Sequence, residues 1–486
     1  MSASPARPRA IVAVLAFAGI ASSLTQTMVT PLIARFPEIF DSSAADTAWI
    51  VTATLLAAAV AVPIAGRLGD LLGKKRMILI VAVPLILGGI VCAVAPTVEI
   101  MIVGRALQGL GSGMVPLGIA LLRDVVPRER LSSAIATVSA TLGVGGAIGL
   151  PMSAAVVQFA DWRVLFLVGS AVTVVAAAAI WIVVPTTPAG AAGQRFDGLG
   201  ALGLALGLVS FILAISKGSE WGWGSPLTIG LLALAAVAFA GWGVWETRAK
   251  EPFVDLRTTV RPRVLLTNIA SIFVGFGMYA SMLVMPQVLQ LPAATGYGLG
   301  QSILAAGLWM APAGLMMLLL SPVAGRLIDA RGPKFTLVVG VVILAVGYGV
   351  GLLGMGSTWG LLITSLVINS GVAFAYGAMP AIIMGAVPRS ETAAANGFNT
   401  LMRSLGTTIG AAVIGVILAQ MTIPLGDVAV PSEAGFRTAL IIGAGVSITA
   451  AVVALFIPSP ARRGEDAAFA VEADVQADAE AEAVAA

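Results

Sequence analysis

Gly66-Arg67-Leu68-Gly69-Asp70-Leu71-Leu72-Gly73-Lys74-Lys75-Arg76 separates two long apolar runs. The pattern returns 259 residues later as Gly325-Arg326-Leu327-Ile328-Asp329-Ala330-Arg331-Gly332-Pro333-Lys334. Glycine, arginine, leucine, aspartate, glycine and lysine recur in the same order. A second pair keeps nearly the same offset: Val126-Pro127-Arg128-Glu129 and, 261 residues on, Val387-Pro388-Arg389-Ser390-Glu391. Chance produces one such match, hardly two, so the chain carries an internal duplication.

Around these stretches the chain is 58% hydrophobic and only 10% charged over 486 residues. A soluble domain carries about 25% charged residues, and there is too little polar surface here to cover so much apolar surface. A soluble enzyme, a nucleic-acid binder and a disordered protein are excluded. Runs of about 20 apolar residues mark membrane spans. They are predicted at 10–33, 47–65, 77–95, 98–122, 132–157, 163–184, 197–216, 226–246, 264–290, 301–323, 336–354, 358–384, 396–420 and 436–457. The duplicated loops are eight spans apart, not six. Two six-helix halves must therefore flank two extra spans, which gives an all-α polytopic protein with 14 transmembrane helices. The expected divisions are a first bundle at 1–196, inserted helices and linker at 197–262, a second bundle at 263–460 and a disordered acidic tail at 461–486.

Basic residues give the orientation. With both ends placed in the cytoplasm, 21 of the 27 Lys and Arg fall inside, four outside (Arg35, Arg163, Lys217 and Arg437) and two within spans (Arg105 and Arg403). This positive-inside bias predicts a multi-pass protein of the inner (plasma) membrane with cytoplasmic termini. The first span is expected to remain as a helix rather than be cleaved as a signal peptide. There is no histidine, and Cys92 is the single cysteine. Imidazole metal sites, Ser-His-Asp chemistry and an internal disulfide are thus excluded. No lysine follows a phosphate-loop pattern, so uphill transport would draw on an ion gradient or a partner. No enzymatic activity, cofactor, metal or nucleic-acid partner is expected, and the protein is read as a monomer.

These residues resemble the major facilitator superfamily, in particular its fourteen-span drug:proton antiporter branch. Residues 66–76 look like the superfamily's loop motif after span two. Arg105-Ala106-Leu107-Gln108-Gly109-Leu110-Gly111 looks like the R-x-x-Q-G-x-G motif of span four. Glu251-Pro252-Phe253-Val254-Asp255-Leu256-Arg257 is similar to the segment before span nine, and Asp161-Trp162-Arg163 to the turn after span five. The chain departs from the branch twice. Span five reads Gly149-Leu150-Pro151-Met152-Ser153-Ala154 instead of G-P-x-x-G-G, and Leu24-Thr25-Gln26-Thr27 puts Thr25 where the branch carries a buried aspartate. The resemblance implies two bundles that rock about a central site, exporting drugs or other amphiphiles with protons as the coupling ion. An uncoupled or importing facilitator, or a lipid or glycolipid exporter of the same fold, stands as the alternative.

The gating candidates are Gly66, Arg67, Asp70, Gly73, Lys74 and Arg76, with Gly325, Asp329, Gly332 and Lys334 in the second copy. An acid among cations at a helix junction can latch the halves when that side closes. Arg105 lies inside a span, where a charge costs at least ~2.5–3.5 kcal/mol unless it faces protein or water. Arg105 and Gln108 are therefore coupling candidates, together with Glu99 and Asp124 from the span ends. Arg403 follows the same argument, with Asn399 four residues away as its neutral partner. Thr25, Gln26, Asn268, Gln287, Asn369 and Tyr376 complete the cavity candidates. Gly145 and Gly149, like Gly109 and Gly113, have the spacing of close helix packing. All 24 acids lie in the tail, in loops or near span ends. Without a mid-membrane carboxylate, neutral or anionic amphiphiles are expected as substrates ahead of lipophilic cations.

Overall fold

The computed structural model describes residues 8–459 apart from 34, 192, 426 and 427. The acidic tail therefore lies outside the described residues. Among those described, fourteen helices are long and apolar enough to cross a membrane. In the first half they are α1 (Pro8–Thr27), α2 (Ala44–Leu72), α3 (Lys74–Val94), α4 (Val98–Val125), α5 (Arg128–Phe159) and α6 (Arg163–Val183). α7 (Gly198–Trp221) and α8 (Pro226–Arg248) come next. The second half holds α9 (Pro262–Gln290), α10 (Ile303–Arg331), α11 (Pro333–Gly354), α12 (Thr358–Met384), α13 (Thr392–Gln420) and α14 (Glu433–Leu455). Each crosses once, so successive helices alternate in direction. The loops after α2 and α10 therefore share one face, here called the basic face.

Five helix starts on the opposite face are set by serine. Ser43, Ser225, Ser302, Ser357 and Ser432 precede α2, α8, α10, α12 and α14, and each side chain accepts an amide from the first turn. That satisfies an amide which the helix itself leaves unpaired. On the basic face the breaks after α2 and α10 are glycines. Gly73 ends α2 at φ +94° and Gly332 ends α10 at φ +85°, conformations that a side chain resists. The duplicated stretches are thus not loops. Residues 66–72 and 325–331 form the last turns of α2 and α10, and α2 runs seven residues past the predicted end at 65. Polar Arg67 and Asp70 made the span look shorter because hydropathy does not see that they are buried by protein. At the other end α1 stops at Thr27, short of 33, and gives way to a 3-10 turn at Thr30–Leu32 and a short helix at Phe36–Ile39. A two-stranded hairpin, β1 (Thr422–Leu425) with β2 (Val428–Pro431), joins α13 to α14.

The duplication is visible in the packing. Gly145 and Gly149 let α5 close on Ser23 and Thr27 of α1. Gly406 and Gly410, 261 residues on, let α13 close on Ile272 and Phe276 of α9. Two seams join the halves. In one, Gly66 of α2 lies against Ala393 and Ala394 of α13. In the other, Gly325 of α10 lies against Ser133 of α5, and Gly314 against Gly143. α7 lies across the first seam, packing Ala201, Leu204, Leu208 and Ile212 with Ala59 of α2 and Leu401 of α13. α8 is peripheral: only Thr228, Ala235 and Glu246 of its 23 residues are buried.

These contacts predict a contrast within one helix. A β-carbon at Gly406 would fall on the Ile272 carbonyl, whereas one at Gly415 meets nothing within 4 Å. Gly406→Ile is expected to destabilise by about 1–3 kcal/mol through overpacking. The melting temperature of the purified protein should fall for Gly406→Ile and hold or rise for Gly415→Ala. Equal effects would show that this contact is not tight.

Candidate functional site

α2 ends beside the start of α13, and there the halves are bonded. Asp70 is fully buried; its Oδ1 accepts the Ala393 amide at 3.1 Å and its Oδ2 the Ala394 amide at 2.8 Å. Both amides belong to the first turn of α13, where helical N–H groups lack internal partners and the helix dipole favours an anion. Lys74 Nζ lies 4.0 Å from Asp70 and 2.6 Å from Asp124 Oδ2, which balances the buried charge. Arg123 ties the halves again, donating to the Val387 carbonyl at 3.1 Å and to Thr392 Oγ1 at 2.9 Å. The loop after α6 runs beneath: the Ala191 amide donates to the Asp70 carbonyl, and Gln194 Oε1 accepts from Arg67 at 3.0 Å. The basic face is closed.

Beside this latch lies a crevice of about 200 Å³ lined by Arg67, Gln194, Glu251, Asp255, Glu391 and Asn268. Glu251 Oε2 accepts the Arg195 amide at 2.6 Å, and Asp255 caps the short helix Leu256–Thr259. The segment before α9 thus binds both to the loop after α6 and to the base of α13.

Two arginines occupy the membrane interior. Arg105 of α4 is 3% exposed. Its Nη1 donates to Gln108 Oε1 at 2.6 Å and to the Thr25 carbonyl at 3.3 Å, while Thr54 Oγ1 donates to the Arg105 carbonyl at 3.1 Å. Arg403 of α13 stands 4.4 Å over the ring of Tyr376 on α12. One turn before it, Asn399 Nδ2 donates to Asn268 Oδ1 at 2.9 Å and to Ser271 Oγ at 2.7 Å. The interior of the first half thus holds a guanidinium fixed by neutral oxygens. The second holds an aromatic-stacked guanidinium above an amide cluster.

A sequence profile described as Major Facilitator Superfamily matches residues 15–291 and residues 267–481. The chain belongs to the Major Facilitator Superfamily. Its similarity to the "Multidrug resistance protein B homolog" of Mycobacterium tuberculosis is 30% identity over 343 residues, 69% of this chain and 62% of that protein. The chain therefore spans about three fifths of that relative's length. To the "Tetracenomycin C resistance and export protein" of Streptomyces glaucescens it is 29% identical over 411 residues, 84% of this chain and 74% of that one. The crystal structure of the human organic anion transporter MFSD10 (TETRAN) superposes with a TM-score of 0.65 at 15% identity, covering 92% of this chain and 99% of that one. It shares the major facilitator fold.

Within this major facilitator chain the predicted residues separate into groups. Gly66, Arg67, Asp70, Gly73, Lys74 and Asp124 come together at the latch, while Arg76 is exposed beside it. The second copy does not repeat it: Gly325 packs in its seam, but Asp329 is exposed. Of the coupling candidates, Arg105 and Gln108 meet. Glu99 is exposed at the start of α4 on the opposite face and does not join them. Thr25 contributes its carbonyl to Arg105, while its hydroxyl donates to Ser22 within α1. Gln26 is exposed, and Gln287 and Asn369 are half-buried, with Asn369 Nδ2 donating to the Ser365 carbonyl of its own helix. Asn399 is not the partner of Arg403; its amide is taken by α9, and Tyr376 stands there instead.

Sequence reasoning missed three residues. Arg123, at the end of α4, bridges the halves. Lys217, placed outside, is 1% exposed within α7, bonded to Glu220 Oε2 at 2.7 Å and to the Ala45 carbonyl at 3.2 Å. Glu246 is buried in α8, accepting from Trp242 Nε1 at 2.8 Å. The i+3 acid after Lys217 and the i−4 tryptophan before Glu246 were the available signals.

The latch predicts unequal effects of the two motif aspartates. Asp70→Ala removes the acceptor of two helix-start amides. At about 1.5–3 kcal/mol per charged hydrogen bond, it should lower the population closed on the basic face at least ~10-fold. A cysteine placed at Val62, which packs on Gly397 of α13, in a Cys92→Ala background should then react faster with a maleimide. Asp329→Ala should leave that rate unchanged, and a matching acceleration would refute the one-sided latch.

Proposed function

We propose that this chain is a proton-coupled exporter of drugs and related amphiphiles. It acts as a monomer in the inner membrane, with both ends cytoplasmic, by alternating access. The observation that carries the reading is the polar fastening of the two halves at the basic face. Two duplicated halves meet along glycine-lined seams, and directional bonds from Asp70 and Arg123 fasten them at the basic face. Seams of small residues let helices slide or part without unlocking interdigitated side chains, while the polar ties make the closed state discrete. The names of the Mycobacterium and Streptomyces relatives, resistance and export, support the direction of transport. The excess of Lys and Arg on the basic face supports its placement in the cytoplasm.

Coupling then falls to the carboxylates that hold the latch. Asp70 and Asp124 share Lys74, so protonating either weakens the cluster that keeps this face shut. Glu99, exposed on the opposite face, has no such lever.

Inner-membrane vesicles turned inside out test the scheme. A lipophilic fluorescent drug should accumulate when a proton gradient is imposed, and an uncoupler should abolish that accumulation. Asp70→Ala with Asp124→Ala should keep downhill flux and lose gradient-driven flux. Accumulation indifferent to the uncoupler would favour the uncoupled facilitator instead.

A further inference from the structure

Arg403 is a buried cation that its surroundings leave incomplete. It lies near the middle of the 29-residue α13, about 17 Å along the helix from its start, and is 9% exposed. Its backbone is clamped, because a β-carbon at Gly275 of α9 would strike the Arg403 carbonyl. Among the described residues, its guanidinium has no hydrogen-bond acceptor and no carboxylate; the Tyr376 ring at 4.4 Å is its contact. Other buried cations differ. Arg105 has Gln108 and the Thr25 carbonyl, Lys217 has Glu220, Lys74 has Asp124 and Arg67 has Gln194.

Stacking on an aromatic face offsets part of the cost of burial but satisfies none of the five N–H donors. The residue is also not turned toward lipid. Gly377, next to Tyr376, packs on Ala136 of α5 across the bundle interface, and Tyr376 itself is 2% exposed. The Tyr376 hydroxyl donates to Met278 Sδ at 3.0 Å, so it is directed away from the arginine. The result is a planar, bidentate donor stacked on the ring of Tyr376, whose hydroxyl is in turn engaged by Met278.

We propose that Arg403 on Tyr376 is an anion-anchoring subsite that takes the carboxylate of an amphiphilic substrate. A carboxylate offers two coplanar oxygens that match the guanidinium fork. The apolar remainder of such a molecule lies against Met278 and the tyrosine ring. This inference rests on the exporter reading for the word substrate, but its test is binding.

The probes are 1-pyrenebutyrate and its methyl ester, which differ by one charge. Binding to the purified full chain is read by energy transfer from tryptophan to pyrene. Wild type should bind the acid more tightly than the ester. Arg403→Gln should weaken the acid about 10- to 100-fold and leave the ester unchanged. Arg403→Lys, which keeps the charge and loses the fork, should fall between. Thermal shifts of wild type with each probe give the same discrimination without any variant, should Arg403→Gln fail to fold. Equal affinity for acid and ester, absence of binding by the acid, or a matched loss of both in Arg403→Gln overturns the proposal. Failure of uncoupler-sensitive export with charge discrimination intact would overturn the exporter reading alone.

Discussion

Everything on the closed face depends on one carboxylate reaching the start of one helix. A buried anion is expensive, and so are unpaired amides at a helix terminus. Asp70 against Ala393 and Ala394 removes both costs at once, but only while α2 and α13 touch. The glycine four residues earlier permits that approach: a β-carbon at Gly66 would lie 2.5 Å from the Ala393 carbonyl and 3.1 Å from the Ala394 Cα. Gly69 leaves room instead for the Leu117 side chain of α4, with Ala393 at ordinary contact distance. Aspartate, glycine and the flanking cations of residues 66–76 are thus parts of a single contact, since the acid needs the closeness and the closeness needs Gly66.

The second copy shows what that contact requires. Gly325 brings α10 against Ser133 of α5, the counterpart of Gly66 against Ala394, so the backbones meet in both seams. Yet Asp329 stays exposed. The difference lies in the receiving helix. At Arg389–Glu391 the chain makes a 3-10 turn, and α13 opens only at Thr392, which leaves the amides of Ala393 and Ala394 free. α5 opens at Arg128, so the amides of Ser132 and Ser133 already belong to its helical ladder. A carboxylate arriving there finds no donor. At this turn Ser390 stands where the first copy has Glu129, at the same 261-residue offset. The duplication keeps the geometry of the seams and breaks the symmetry of their chemistry.

That asymmetry was not readable from the motif, in which Gly325 to Lys334 looks like an equal partner. Sequence periodicity carried the fourteen helices, their division by the repeat and the glycine spacing of α5, because hydropathy and spacing are local. It misjudged the end of α2, since Arg67 and Asp70 are polar yet buried by helices more than a hundred residues away. It paired Asn399 with Arg403 along their own helix, where lateral neighbours on α9 and α12 decide both. Hydrogen bonds such as Arg123 to Val387, or Lys217 to Ala45, depend on which helices become neighbours, and no window along the chain contains that information.

The inserted helices show how contact type sorts what moves together. α7 crosses the seam between α2 and α13, touching both halves. Its directional contacts go to the first: Lys217 donates to the Ala45 carbonyl of α2 and stands 5.0 Å from the ring of Trp49. Its contact with α13 is apolar, made through a cluster that includes Leu401. A hydrogen bond from a buried lysine is lost steeply with distance, whereas an apolar face can slide a few ångströms and still be covered. The same rule applies below, where the Arg67 to Gln194 bond holds the loop before α7 to α2. α7, with α8 behind it, is therefore bound to the first half and presents a greasy surface to the second. Among the described residues, α7 itself covers the seam between α2 and α13 through apolar contacts on the α13 side.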